Sequence, residues 1–536
     1  MARRIGHHDI GMATTRAAQD VAPESLPRGR AALATLCFIL FLTFLDNTIV
    51  SVVLAGVQTD LHAGVSGLQW VVNGYALVFA SLMLTMGTLG DLFGRKKVML
   101  GGVVVFCAGS VLAALAPSVG VLTAGRVIMG VGAAASEPGT LSMIRHLYPD
   151  RRERARALGV WTAVSGLALA MGPVIGGVLA GLYSWRAVFW FNLFFGLAAL
   201  VGAQLTLPEN ADPQSTKLDI PGFVLGATAL AAASFAVISG ETAGYFTWWI
   251  DLLFALALAA GVAFVLFERQ ADNPVLNVRY FRKPPFSGSN FVAFSTFFSI
   301  FSLFFLVALY LQTVGTSSSY QTAVDFVPMA AAMVVSAVFT GRWVAATGPR
   351  MPMAVGCVLA GLGVLLTEFR LSPSAGLAAV GWTMAIAGMG FGIAIVPVTS
   401  SALSAIPPEH SGMAASTTNT SRELGAVAGV AILGSIVNGQ LTVALAHRLH
   451  QLGIPQTFIN DVVAAVATGT FNTKAAKSVA GSNANLAVIV DRILNAAYNA
   501  FANGIDLALF FAAALMGLSA IVALFTMRLG NATLEF

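Results

Sequence analysis

Apolar residues run along this chain in stretches longer than a buried element of a soluble domain needs, and polar residues gather in short breaks between them. A helix crosses about 30 Å of hydrocarbon with about 20 apolar residues. Fourteen stretches meet that length: roughly 31–57, 68–88, 98–116, 119–144, 156–182, 187–207, 219–239, 248–267, 286–312, 322–346, 351–368, 376–404, 412–438 and 502–527. Each predicts a transmembrane helix. Polar breaks at 208–218 and 268–285 divide them six, two and six. The expected organisation is a disordered cytoplasmic tail (1–30), an N-terminal six-helix bundle (31–207), two inserted helices with linkers (208–285) and a C-terminal six-helix bundle (286–536) with an external loop (439–501). Late in that loop Leu486, Ile489, Val490, Ile493, Leu494, Ala497, Tyr498 and Phe501 recur at helical spacing, with Asp491, Arg492, Asn495 and Asn499 opposite. That pattern predicts an amphipathic helix leading into the last span.

Charge adds the orientation. With the N-terminus placed inside, 21 of the 29 lysines and arginines fall in inside segments and 6 in outside ones. Short cytoplasmic loops retain Lys and Arg, so both termini are expected to be cytoplasmic. Residues 1–30 are polar and mixed, and the apolar run after them is too long for a signal peptide, which makes it a true first span. Charged residues make up 10% of the chain and hydrophobic ones 57%, against about 25% charged in soluble proteins. A soluble globular, disordered or secreted disulfide-rich protein is thereby excluded. The net charge of +5 sits in loops and not in a basic domain, which argues against a nucleic-acid partner. Cys37, Cys107 and Cys357 have no metal-ligand or redox spacing. No Gly-x4-Gly-Lys-Ser/Thr loop is present, which argues against a nucleotide-driven pump, and neither His-Glu-x-x-His nor Gly-x-Ser-x-Gly occurs, which argues against an enzyme. No cofactor or metal is expected, and nothing in the sequence demands more than a monomer.

Polar residues within the apolar runs carry the chemistry. An Arg at membrane depth costs about 2.5–3.5 kcal/mol on insertion scales and needs an interior partner. Arg126 lies in the fourth span and Asp46 in the first; at 1.5 Å per residue both come out roughly 20 Å from the cytoplasmic side, so the two are placed to pair. Burial and pairing act on such a carboxyl in opposite directions, which is the physical basis for proton coupling. Glu137 lies eleven residues after Arg126 on nearly the same helix face, ahead of a kinking Pro138. It is either a further cavity carboxylate or a structural one. The fifth span carries Gly166 and then Gly172-Pro173-Val-Ile-Gly176-Gly177, a kinked helix suited to close packing against the opposite bundle.

Gly87 to Gly94, with Asp91 between them and Arg95, Lys96 and Lys97 following, forms a cytoplasmic loop in which Asp91 can face a helix N-terminus and latch an inner gate. Gly341 to Gly348 repeats the seven-residue spacing in the second half, with Ala345 in place of the acid. Such repeats on either side of a central cavity are a common transporter plan. The phenylalanines of the ninth span, Phe291 to Tyr310, either line an apolar path or face lipid.

Together these segments resemble the major facilitator superfamily. Residues 87–97 match its cytoplasmic loop motif. Leu122 to Gly132 resembles its fourth-span Arg motif, with Met129 where Gln is usual. Residues 166–177 match its antiporter motif, and Leu45 to Val50 with Trp185-Arg186 to Asn192 resemble the fourteen-span drug/proton antiporters. The resemblance implies export of amphipathic or cationic compounds in exchange for protons across a bacterial cytoplasmic (inner) membrane. Carried over by position, Asp46 and Arg126 are coupling residues, and Asp91 and Arg95 form the inner gate. Glu137 departs from the family's usual apolar residue there. Arg422-Glu423 resembles a family pair and is expected at the inner end in a structural role. The rival cargo is a lipid, an envelope precursor or an endogenous metabolite.

Overall fold

The structure is a computed structural model and describes residues 26–209, 220–271, 278–314, 317–372, 376–407, 411–451, 459–460 and 484–527. The expected tail up to residue 25, the central parts of both polar linkers and most of 452–483 lie outside the described residues. Among the described residues fourteen helices are long and apolar enough to cross a membrane, and no strand occurs.

The first span is α1 (Leu26–Ile49), a 3₁₀ turn (Val50–Val53) and α2 (Leu54–Leu61). The turn falls in the β-branched run Ile49-Val50-Ser51-Val52-Val53, where crowding along the preceding turn weakens a regular helix. Then follow α3 (Val65–Phe93), α4 (Arg95–Ala114), α5 (Val119–Leu147), α6 (Arg151–Leu182) and α7 (Arg186–Thr206). The inserted pair is α8 (Ile220–Ala243) and α9 (Trp248–Glu268). The second half contains α10 (Pro284–Thr313), α11 (Ser319–Thr347), α12 (Arg350–Arg370), α13 (Leu377–Ser404), α14 (Ser411–Gln451) and α15 (Ala484–Thr526).

The halves repeat one packing scheme. α1 packs on α6, α3 and α4 on α5, and α7 on α4; in the second half α10 packs on α14, α11 and α12 on α13, and α15 on α12. The repeat extends to the turns. Gly94 closes α3 at φ +105° and Gly348 closes α11 at φ +79°. Both are left-handed positions that suit glycine, and in both the next helix begins within two residues. Two symmetry-related seams join the halves, α6 against α11 and α3 against α14. The inserted pair breaks the symmetry: α8 lies on α3 and α14, and Trp70, Phe235 and Trp249 form an aromatic file from α3 through α8 to α9.

One expectation needs revision and one open alternative resolves. α14 and α15 are 41 and 43 residues long, so both ends of the supposed loop 439–501 are helical. The amphipathic segment is continuous with the last span. Alanine, leucine, glutamine and arginine keep α14 helical beyond the hydrophobic stretch that marks its span. Nor does α10 turn its phenylalanines to lipid. Phe297, Phe298, Phe301, Phe304 and Phe305 are all buried, because α11, α13, α14 and α15 surround that helix.

Candidate functional site

Asp46 and Arg126 meet. Both are fully buried, and Arg126 Nη1 donates to Asp46 Oδ2 in an ion pair between α1 and α5. Asn192 Nδ2 on α7 donates to the other Asp46 oxygen at 2.5 Å. Arg126 Nε donates to the Val71 carbonyl on α3 at 3.0 Å, and its guanidinium stacks 4.4 Å from the centre of the Tyr75 ring. Tyr75 is held by its hydroxyl donating to the Thr43 carbonyl at 3.0 Å. Four helices of one half thus enclose a single charge pair. One Arg126 nitrogen, Nη2, is buried without a hydrogen-bond partner, which leaves the pair a free donor.

Glu137 is 1% exposed and stands apart from that pair. Its Oε1 accepts from Asn419 Nδ2 on α14 at 3.3 Å, while Oε2 has no partner. Arg422 donates to Asn419 Oδ1 at 3.1 Å and to Thr399 Oγ1 at 2.6 Å. Glu423, expected with Arg422 at the inner end in a structural role, finds a partner that the sequence does not indicate. Its two oxygens accept from Asn47 Nδ2 on α1 at 3.2 and 3.0 Å. α14 therefore grips the N-terminal half twice on one face, since positions 419 and 423 are neighbours one helical turn apart. Asn47 directly follows Asp46 in the chain. The only signal for this link is a polar residue inside an apolar run; its partner lies 376 residues away. Asp325 on α11 is a further buried carboxylate, 4% exposed.

A cavity of about 460 Å³ opens between the halves. Its lining comes from α5, α6, α11, α13 and α14, is predominantly apolar, and includes Trp161, Gly166, Met333, Val338, Thr399 and Asn419. Neither Asp46, Arg126 nor Glu137 lines it, because each is sealed behind its own partners; Asn419 connects Glu137 to the space. All the lining belongs to the helix portions nearer the end where α1 begins and α15 finishes. At the opposite end the halves touch. Gln312 Nε2 on α10 donates to the Val52 carbonyl at 2.8 Å, on the 3₁₀ turn, and Gln69 reaches the Val430 and Ala431 carbonyls at 3.5 Å. There Gly177 packs so tightly on Ala323 that a side chain would overlap it. Gly172 and Gly176 instead pack on Thr48 and Ile49 of α1. The motif around Pro173, which lies inside α6, therefore serves both the seam and its own bundle.

Gly87 and Asp91 fall within α3, which stays helical to Phe93, so the expected loop shrinks to Gly94; the Asp91 side chain lies outside what the structure describes, and the proposed latch has no geometry. Gly94 stands against the Glu209 carboxylate. Lys96 Nζ donates to the Gln204 and Leu207 carbonyls at 2.9 and 2.7 Å, capping the end of α7 where a cation is favoured. Arg95 has partners of its own.

Comparison with known proteins gives this arrangement a lineage. The family model of the Major Facilitator Superfamily matches residues 36–430. The Mycobacterium tuberculosis multidrug resistance protein Stp is 31% identical over 436 residues, 81% of each chain. The methylenomycin A resistance protein of Bacillus subtilis is 35% identical over 76% of this chain and 88% of its own. The tetracenomycin C resistance and export protein of Streptomyces glaucescens is 29% identical over 94% and 93%. Among solved structures, a bacterial homologue of the human lysosomal transporter Spinster, in an inward-facing and unoccupied conformation, matches 94% of this chain and 99% of its own with a TM-score of 0.62 at 18% identity. With twelve membrane helices in two repeated bundles and two more inserted between them, this chain belongs to the major facilitator superfamily and is a membrane transporter, not an enzyme.

Proposed function

We propose that the protein exports amphipathic or cationic drugs across a bacterial cytoplasmic membrane in exchange for protons, as a monomer with both termini in the cytoplasm. The observation that carries this reading is the Asp46–Arg126 pair with its Asn192 support, a titratable group buried at membrane depth inside one half. An ionisable residue so placed is a functional-site hypothesis in its own right. The relatives, named as resistance and export proteins, support drugs as the cargo class. The excess of basic residues in the segments on the side of the N-terminus supports the orientation. With that orientation, the cavity opens toward the cytoplasm and the contact of Gly177 with Ala323 closes the outer side. Asp46 exchanges its ionic partner: Arg126 holds it when ionised, and a proton replaces that attraction when it is neutral.

The test is transport in inverted vesicles with an acidified lumen. Addition of chemically unrelated lipophilic cations is expected to discharge the proton gradient, and Asp46→Asn is expected to abolish that discharge. Discharge of equal size in Asp46→Asn would refute the coupling site. Movement of a labelled lipid with no response to drugs would refute the cargo class.

A further inference from the structure

Two side chains line the cavity and also belong to the polar network behind it. Asn419 is 9% exposed, and Thr399 stands beside it in the lining. Arg422 ties them together, donating one nitrogen to Asn419 Oδ1 at 3.1 Å and another to Thr399 Oγ1 at 2.6 Å. Its guanidinium also lies 5.5 Å from the centre of the Phe297 ring. This fixes the amide. With Oδ1 taken by an obligate donor, the NH₂ group must point the other way, and it points across the seam at Glu137. Glu137 has one oxygen on Asn419 and one oxygen buried and empty. A buried carboxyl oxygen without a donor is costly, so any donor that arrives there is welcome.

Resting on the exporter reading above, we propose that Asn419 is the positioning residue through which cargo in the cavity loosens the two halves. Cargo with an ammonium or N–H donor at one end takes Glu137 from Asn419, while its apolar body fills the space beside Met333, Val334 and Ala337. The link that gives way is the weaker of the two on α14. Asn419 makes one bond at 3.3 Å to Glu137, whereas Glu423 accepts twice from Asn47, at 3.0 and 3.2 Å. Loss of the first leaves α14 held to the N-terminal half by the Glu423 link and, at the far end, by Gln69 on the Val430 and Ala431 carbonyls, which is the state from which the seam shifts. An uncharged apolar compound without a donor occupies the same cavity but leaves the Asn419 link intact.

The experiment uses the full chain in lipid nanodiscs, with ethidium as the cation and Nile red as the donor-free control. Binding is read by fluorescence. Separation of the halves is read between spin labels at Val160→Cys on α6 and Val335→Cys on α11, both exposed positions outside the cavity lining. In the otherwise unchanged protein ethidium is expected to shift the distance distribution and Nile red to leave it unmoved. Asn419→Leu is expected to bind ethidium at least as tightly, with up to about a threefold gain, and to lose the ethidium-driven shift; Asn419→Gln is expected to retain part of it. Should Asn419→Leu not fold, Asn419→Ala, smaller and likewise without the donor, carries the same expectation. A shift that survives full occupancy in Asn419→Leu or Asn419→Ala overturns the proposal, as does an equal response to Nile red. Weaker ethidium binding with the shift retained makes Asn419 a plain cargo contact and also overturns it. Failure of the unsubstituted protein to bind ethidium overturns the exporter reading as well, which separates the two failures.

Discussion

The molecule holds two buried polar centres built on opposite plans. Asp46 and Arg126, with Asn192 and Tyr75 around them, draw every partner from the N-terminal half. Glu137, Asn419, Asn47 and Glu423 form links with one partner in each half. A charge satisfied within one rigid bundle does not resist the parting of the halves. A hydrogen bond across the seam must break whenever they part. The comparison therefore separates two tasks: Asp46 and Arg126 are suited to holding or releasing an ion, and the face of α14 is suited to holding the halves together. That Asn47 follows Asp46 on α1 brings the two tasks within one residue of each other.

The largest expected effect breaks the self-contained centre. Asp46→Ala or Arg126→Ala strands a buried charge, which costs about 3–5 kcal/mol. Unfolding of the purified protein in detergent is expected to fall by that amount in either single variant and to recover most of it in the double variant, while proton-coupled transport stays lost in all three. A double variant no more stable than the singles would mean the pair is not a closed unit. Next comes the seam. Asn47→Ala removes both hydrogen bonds to Glu423 and is expected to cost about 1–3 kcal/mol, with a broadened distribution of spin-label distances between the halves. The same loss with an unchanged distribution would show that the link stabilises the fold and not the closed seam. Third, Gly166→Leu places a side chain in the cavity, where nothing lies within 4 Å of an added Cβ. Cargo affinity is expected to fall about tenfold, equal to about 1.4 kcal/mol, with unfolding unchanged. The smallest effect is that of Lys96→Met, which uncaps α7 far from either centre; about 0.3–1 kcal/mol of stability is expected to go, with transport rates retained.

The self-contained centre was legible in the chain because depth is readable. Counting 1.5 Å per residue from the polar ends places Asp46 and Arg126 at matching levels, and the cost of an intramembrane Arg demands a partner. The paired glycine turns at Gly94 and Gly348 were legible for the same reason, that a repeated spacing survives without the fold. The seam was legible only in part. The glycines after Pro173 pointed to it, and Gly177 does meet Ala323, but nothing in the chain pairs Glu423 with Asn47, and the short polar residues Asn47 and Asn419 carry no periodic signal. The cavity was illegible too, since Gly159, Gly166 and Gly341 look like packing glycines until the space beside them is seen to be open. The length of α14 and α15 escaped because a hydropathy stretch marks where a helix is greasy and not where it stops.

The most direct test of the division of labour counts protons released when cargo binds. Purified protein in weakly buffered detergent, with a pH indicator, is mixed with saturating ethidium. The account expects proton release by the unsubstituted protein and by Asn47→Ala, and none by Asp46→Asn. Release of undiminished size by Asp46→Asn, or its loss in Asn47→Ala alone, would contradict the assignment of the titrating site to the centre enclosed within the N-terminal half.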